Sequence, residues 1–268
     1  MLRKIAKVSI AALLAGIAVL LILDLFVFPL PSEKLSRHSS YFIYDRDGEL
    51  LNCYASDDHF WRLPTELDSI SPFLIRTVLN TEDKWYRYHP GINPVSLFKA
   101  AVDNVQAGKI VRGGSTITMQ IARMMEPKPR NIGGKLIEIY RALQLEMHYS
   151  KDELLEIYFN LIPYGGNIEG VGAAAYFYFG KSPLELTVSE SAILAGIPSS
   201  PNNYRPDLNP EKCLKRRDRI LRQLHHNGII DEAKYHNALE EEIPKERGER
   251  PDYAPHFSQS MMARIDSE

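Results

Sequence analysis

The sequence predicts a mainly α-helical domain with one short β-hairpin, preceded by a transmembrane helix. Three observations predict it. Apolar residues recur at helical spacing in one segment after another between positions 71 and 241, with Pro, Gly, Ser and Asn at the breaks. Two aromatic or apolar runs flank Asp47-Gly48, which is a hairpin signal. Residues 8–30 are almost wholly apolar, broken only by Asp24 near the far end, and match the ~20 residues that cross a bilayer.

The chain has 268 residues, 44% hydrophobic and 25% charged, enough for one substantial domain plus small additions. A formal net charge of −2 gives no reason to expect nucleic acid as a partner. Cys53 and Cys213 are far apart and lack any Cys/His ligand spacing, so they make no metal site; pairing and two idle thiols both stay open. Arg3, Lys4 and Lys7 precede the apolar run, which puts the N-terminus in the cytoplasm and everything after Pro31 outside. The run is too long and its cleavage site too poor for a signal peptide, so the anchor is expected to stay uncleaved.

Taken in order, a hairpin is expected over 41–62, then a helix over 71–84 with Pro72 in its first turn. Glu82 and Asp83 fall at the end of that helix, where negative charge opposes the dipole. A local rule broken without visible compensation marks a site; the plain alternative is two solvated carboxylates in a loop. A helix over 94–107 stops at Gly108. It holds Ser96-x-x-Lys99, the spacing of acylating serine enzymes, but no Lys-Thr-Gly or Ser-Asp-Asn partner exists, so that chemistry is excluded.

The stretch 112–123, Arg-Gly-Gly-Ser-Thr-Ile-Thr-Met-Gln-Ile-Ala-Arg, reads as a flexible loop running into a helix over 117–124. Ser115 or Thr116 can cap it, and such a start, flanked by Arg112 and Arg123, could hold a phosphate or diphosphate. No Gly-Lys-Ser/Thr follows, so it is not a P-loop. A loop over 127–134 carries Lys128 and Arg130. The helix over 135–149 is apolar on several faces and should be central; Lys135 and Glu138 share one of them. Ser150-Lys151-Asp152-Glu153 is a capping box for the next helix, ending at Phe159 or Asn160. Residues 160–172 read as a glycine-rich loop, 171–179 and 189–196 as short apolar helices, and 198–210 as an extended loop. A basic helix over 210–229 is expected to be a solvated face, and a last helix covers 231–241.

Four blocks in this order carry a resemblance: Glu82-Asp83-Lys84-Trp85-Tyr86-Arg87-Tyr88-His89-Pro90-Gly91, the Gly113-to-Gln120 block, Lys135-Leu136-Ile137-Glu138, and Tyr158-Phe159-Asn160 leading into Gly165, Gly170 and Gly172. Together they resemble the peptidoglycan glycosyltransferase module of glycosyltransferase family 51, found in class A penicillin-binding proteins and monofunctional relatives. The resemblance spans about 41–210. Gly134, where many members have Arg, and Met119, where many have a second Gln, depart from the pattern. With the Arg-Ala-Leu-Gln-Leu-Glu run at 141–146, they resemble the penicillin-binding protein 1C branch of the family.

The resemblance implies a lysozyme-like helical domain over 40–240, a cytoplasmic tail over 1–7, an anchor over 8–30, and over 241–268 the start of a linker to a further domain. It implies an inner-membrane, periplasm-facing enzyme of cell-wall synthesis that polymerises lipid II and releases undecaprenyl diphosphate. Glu82 would be the general base and Glu138 the second acid, assisting the leaving diphosphate directly or through a divalent cation, Mg2+ or Mn2+. Lys135, Arg123 and Arg130 would neutralise the phosphates. Asp83, His89, Ser115, Thr116, Gln120 and Asn160 would contact substrate. Partners would be lipid II, the lipid-linked glycan, the membrane and other wall-building proteins. Two other readings stand beside it: a lysozyme-like hydrolase or lytic transglycosylase, which needs no diphosphate cations, and a catalytically silent membrane-anchored scaffold.

Overall fold

The computed structural model describes residues 15–16, 22–48, 50–108 and 113–265. The tail 1–7, most of the expected anchor 8–30 and Arg112 lie outside the described residues. Among the described residues no helix is long and apolar enough to cross a membrane.

The hairpin forms where Asp47-Gly48 placed it. Strand β1, Tyr41–Tyr44, pairs antiparallel with β2, Leu50–Tyr54, and Gly48 takes the left-handed conformation the turn needs, at φ 85°. Eleven helices follow among the described residues: α1 Pro72–Glu82, α2 Pro94–Ala107, α3 Ile117–Met125, α4 Ile132–His148, α5 Lys151–Leu161, α6 Val171–Phe179, α7 Val188–Gly196, α8 Pro201–Tyr204, α9 Pro210–His226, α10 Glu232–Glu240 and α11 Pro255–Ile265. The mainly α expectation therefore holds.

The differences from expectation are local. Helix α1 ends at Glu82 because Asp83 swings out to φ −156°. Helix α4 starts three residues before Lys135 because the Asn131 side chain accepts from the Gly134 N–H at 2.8 Å and caps it. The glycine-rich stretch after α5 is partly a second hairpin, β3 Pro163–Gly165 with β4 Ile168–Glu169, turned by Gly165 and Gly166 at φ 94° and 59°. Helix α8 occupies part of the expected extended loop. Helix α11 lies in the stretch expected to begin a linker. The segment before it returns to the hairpin, where Asn52 donates to Asp252 at 2.7 Å and the Tyr253 N–H to the Leu51 carbonyl at 3.1 Å.

The core gathers α1, α3, α4, α5, α6 and α7. Ile117 and Ile121 of α3, Leu145 of α4, Leu154, Leu155 and Tyr158 of α5 are all fully buried in one cluster, each aliphatic contributing about 1.5–3 kcal/mol. Helix α6 sits deep because its Gly172-Ala173-Ala174-Ala175 run lets it press on the Leu63–Thr65 segment, where any Cβ at 172 would collide. The basic helix α9 is only partly a solvated face. Its Arg217 is buried and donates to Ser189 Oγ (3.2 Å) and to the Leu239 (3.0 Å) and Glu241 (2.6 Å) carbonyls, stapling α7 to the end of α10. Cys53 and Cys213 are buried and free, which decides between the two options left open for them.

Candidate active site

The start of α3 organises the site, in a different way from the one its sequence predicts. Thr116, not Ser115, is the cap: its Oγ accepts from the Met119 N–H at 3.1 Å and donates to the Gly91 carbonyl at 2.5 Å. The Ile117 N–H is taken by Asp83 Oδ2 at 3.1 Å. The expected anion position at this helix start is therefore filled by the protein's own carboxylate. Asp83 looks misplaced at the end of α1 only when α1 is considered alone, because its charge is spent at the N-terminus of α3, where the dipole favours it. Both Asp83 oxygens also meet His89 Nε2, at 2.9 and 3.0 Å, with both side chains buried. A carboxylate only accepts, so Nε2 carries the proton; Nδ1 is buried without a partner. Asp83 and His89 thus touch the site's edge while bracing two helices.

Glu82, one residue earlier, points elsewhere. It is half-buried, accepts from Gln120 Nε2 at 2.9 Å, and opens on a cavity of about 820 Å³. Ser115, Thr116 and the glycines 113–114 line that cavity, together with Lys84, Ser96 and Lys99. Ser96 and Lys99, excluded as acylating residues, thus do face the site.

A cationic cluster adjoins through Ser115. Arg123 donates to Glu138 Oε1 at 2.7 Å and to Oε2 at 3.1 Å, and also to Ser115 Oγ at 3.2 Å. Lys135 reaches Glu138 Oε2 at 3.0 Å and Ser115 Oγ at 2.7 Å. Burial pushes the Glu138 carboxyl up, but the bonds from Arg123 and Lys135 outweigh it and the net is below the usual carboxylate range. Glu138 is therefore ionised at neutral pH. Gln120 and Arg123 are three apart on α3, so one helix turn, roughly 5–6 Å between Cβ atoms, joins the Glu82 pair to the Glu138 cluster. The two glutamates, 56 positions apart in sequence, are thus linked through side chains of one helix.

Two expected site residues lie apart from this group. Arg130 is exposed on the loop before α4 and makes no ion pair or hydrogen bond among the described residues. At Gly134 itself a side chain would strike the Pro129 carbonyl. Asn160 is committed elsewhere: it accepts from the Thr65 N–H at 2.9 Å and donates to the Thr65 and Glu156 carbonyls at 2.9 and 3.0 Å, away from the Glu82 cavity. Sequence reasoning missed a second brace. Lys151 donates to the His89 carbonyl and to Glu146, both at 2.7 Å, and Thr118 donates to Glu146 at 2.6 Å. Only the alternation of charge across the α4–α5 break hinted at it.

The donor set does not fit a resident metal. Glu138 is the one carboxylate of the cluster and both its oxygens are taken by cations. Among the described residues no group of three His, Cys, Asp or Glu side chains could hold an ion.

The family model described as Transglycosylase matches residues 47–225. Penicillin-binding protein 1C of Escherichia coli (strain K12) is 38% identical over 242 residues, covering 90% of this chain and 31% of that protein. Penicillin-binding protein 1A of Aquifex aeolicus (strain VF5) is 32% identical over 253 residues, covering 90% and 34%. A crystal structure of penicillin-binding protein 1A from Haemophilus influenzae aligns at 24% identity with a TM-score of 0.45, covering 87% of this chain and 25% of that one. The chain spans about a third of the length of these curated relatives.

Proposed function

The chain belongs to the transglycosylase family, and from that premise we propose that it polymerises lipid II into β-1,4-linked glycan strands with release of undecaprenyl diphosphate. One observation carries the reading: a half-buried carboxylate opening on a large cavity, one turn of α3 away from a paired cationic cluster. Glu82 takes the proton of the acceptor 4-hydroxyl as its oxygen attacks C1 of the donor. The C1–O bond to the diphosphate breaks on the opposite face, which inverts an α-linked donor to a β link without a covalent enzyme intermediate. Negative charge then builds on the departing diphosphate, and Arg123 and Lys135, already converged on the Ser115 hydroxyl, are there to receive it. Glu138, being ionised, gives the leaving group no proton; it holds the two cations in place. No step passes through a metal.

The substrate's lipid calls for a membrane seat. The exposed apolar side chains Val95, Phe98 and Val105 on α2 and Ile132 and Leu136 on α4 would supply one, and Val95 lines the cavity itself. With residues 8–30 as a single-pass anchor and the N-terminus inside, the domain would work on the periplasmic face of the cytoplasmic membrane. Other wall-building proteins remain candidate partners.

The test is chain growth from labelled lipid II by detergent-solubilised protein, beside Glu82→Gln and a moenomycin-type phosphoglycolipid. Strands that vanish in both controls support the proposal. Loss of turbidity from isolated cell walls instead would make the chain a hydrolase, and full biological complementation by Glu82→Gln would make it a scaffold.

A further inference from the structure

Two sequence features find no use in the reaction above: the lone Asp24 in the apolar anchor and the polar run of α4 after Glu138. The structure joins them. Asp24 is buried in a single π-helical turn, Leu23–Val27, a wide turn that often marks functional positions. Its Oδ1 accepts from Gln144 Nε2 at 2.6 Å and its Oδ2 lies 2.7 Å from His148 Nε2. The carbonyls just past the turn are gripped as well. Phe28 accepts from Gln144 at 2.8 Å and Arg141 at 3.1 Å, and Pro29 from Arg141 at 2.9 Å. Arg141 also donates to Gln144 Oε1 at 2.7 Å and to Glu126 at 3.3 Å.

Glu126 is the C-cap of α3, and α4 carries Lys135 and Glu138 on its first two turns. One arginine therefore ties the exit of the anchor to both helices that hold the cationic cluster. An ionisable group in an apolar span is costly and is kept for a defined partner; here Asp24 and the carbonyls of Phe28 and Pro29 all find theirs on α4. A merely solubilising aspartate would face water, and this one is 5% exposed.

We propose that Asp24, Gln144 and His148, with Arg141, form an orientation clasp: positioning residues that fix the angle and height of the Arg123–Lys135–Glu138 site over the bilayer, where lipid-linked substrates present their diphosphates. The inference rests on the membrane reading above. Once the clasp is broken the anchor still tethers the domain, but the cleft no longer meets the lipid headgroups at one fixed depth. Catalytic groups are untouched, so the loss falls on capture of substrate from a bilayer and not on the chemical step.

The test uses the full chain in lipid nanodiscs with a nitroxide at Ile132→Cys, an exposed position on the first turn of α4; the buried Cys53 and Cys213 do not compete for the label. Asp24→Ala and His148→Ala are expected to shift or broaden the label depth by up to about one helical turn, roughly 5 Å. Asp24→Asn, which keeps an acceptor for Gln144, should restore it. In the same discs kcat/KM for lipid II should fall about tenfold in the alanine variants, the equivalent of one lost charged hydrogen bond. With detergent-dispersed lipid II their kcat should stay near that of the parent chain. Unchanged depth in both alanine variants overturns the clasp, and so does a lowered melting temperature with equal activity loss in detergent and discs. Depth is read without turnover: a chain that makes no glycan yet shows the depth change refutes the proposed reaction and keeps the clasp.

Discussion

Replacing Asp83 by alanine separates a brace from a substrate contact. In the structure one carboxylate, 7% exposed, receives the His89 Nε2–H and the Ile117 N–H. Alanine strands both donors in a place water does not reach, at about 1–3 kcal/mol for each unsatisfied group. It also removes a negative charge from the N-terminus of α3, worth roughly 0.3–1 kcal/mol. His89 already has an unpartnered Nδ1 and would be left with no partner on either nitrogen. The expected loss is about 2–7 kcal/mol, a large part of a total stability of roughly 5–15 kcal/mol. Asp83→Asn keeps one good acceptor and should lose about 1–2 kcal/mol. The measurement is thermal unfolding of detergent-solubilised protein followed by circular dichroism, where each kcal/mol moves the midpoint by roughly 2–4 °C. A mere rim contact would leave Asp83→Ala melting with the parent chain while polymerisation collapses. That pattern would refute the brace and return Asp83 to the substrate.

Glu82→Gln should cost about 10²–10⁴ in polymerisation rate, since a missing base has no neighbour to replace it, and more than Glu138→Gln; equal or reversed losses in a lipid II assay would count against these two roles. The folded-state pKa of Glu138 is depressed, so its contribution to stability is complete above the unfolded carboxylate value and is lost as pH falls through the folded one. Melting curves between pH 3 and pH 7, a window about the usual carboxylate pKa, should therefore show less acid sensitivity in Glu138→Gln than in the parent chain. Burial pushes the Cys53 thiol up to about 11 and that of Cys213 to about 12. Maleimide at neutral pH should leave both unlabelled until the chain unfolds, and rapid labelling of the native protein would contradict their placement. Because the cations at the site belong to the protein, a chelator should lower glycan synthesis by less than about tenfold, whereas a strict metal requirement would give a loss of several powers of ten.

Much of the architecture was legible because it is local. Pro72, Asn93, Gly108 and the Ser150 capping box set helix ends by contacts within a few residues, and these ends fall where expected. The second hairpin was not legible, since its strands of three and two residues are too short for a period-2 pattern. The site divided in the same way. Lys135 and Glu138 share a face by helix geometry alone, but the capture of the Ile117 N–H by Asp83, 34 residues away, is a tertiary contact and has no local signature. Arg130 is the other case: its charge was legible in the sequence, but not that it stands exposed on the loop, outside the ion pairs of the cluster.

The ion pairs at the site carry a constraint on turnover. Arg123 and Lys135 are opposed by one carboxylate, so the unliganded cluster keeps a single net positive charge. A diphosphate must compete with Glu138 for the same donors. Without Glu138 the two cations would spread apart by repulsion and would have to be gathered during the reaction, at an entropic cost for two long side chains. With it they are gathered beforehand, and the diphosphate is bound less tightly than two free cations would bind it. Under the proposed reaction, in which undecaprenyl diphosphate must leave after every addition, the chain gains from both effects. Glu138→Gln should thus show two opposed changes: a slower chemical step in single turnover, and tighter inhibition by added polyprenyl diphosphate. A variant that is slower in single turnover but no more sensitive to that product would leave Glu138 as a positioning group and remove its competition with the diphosphate.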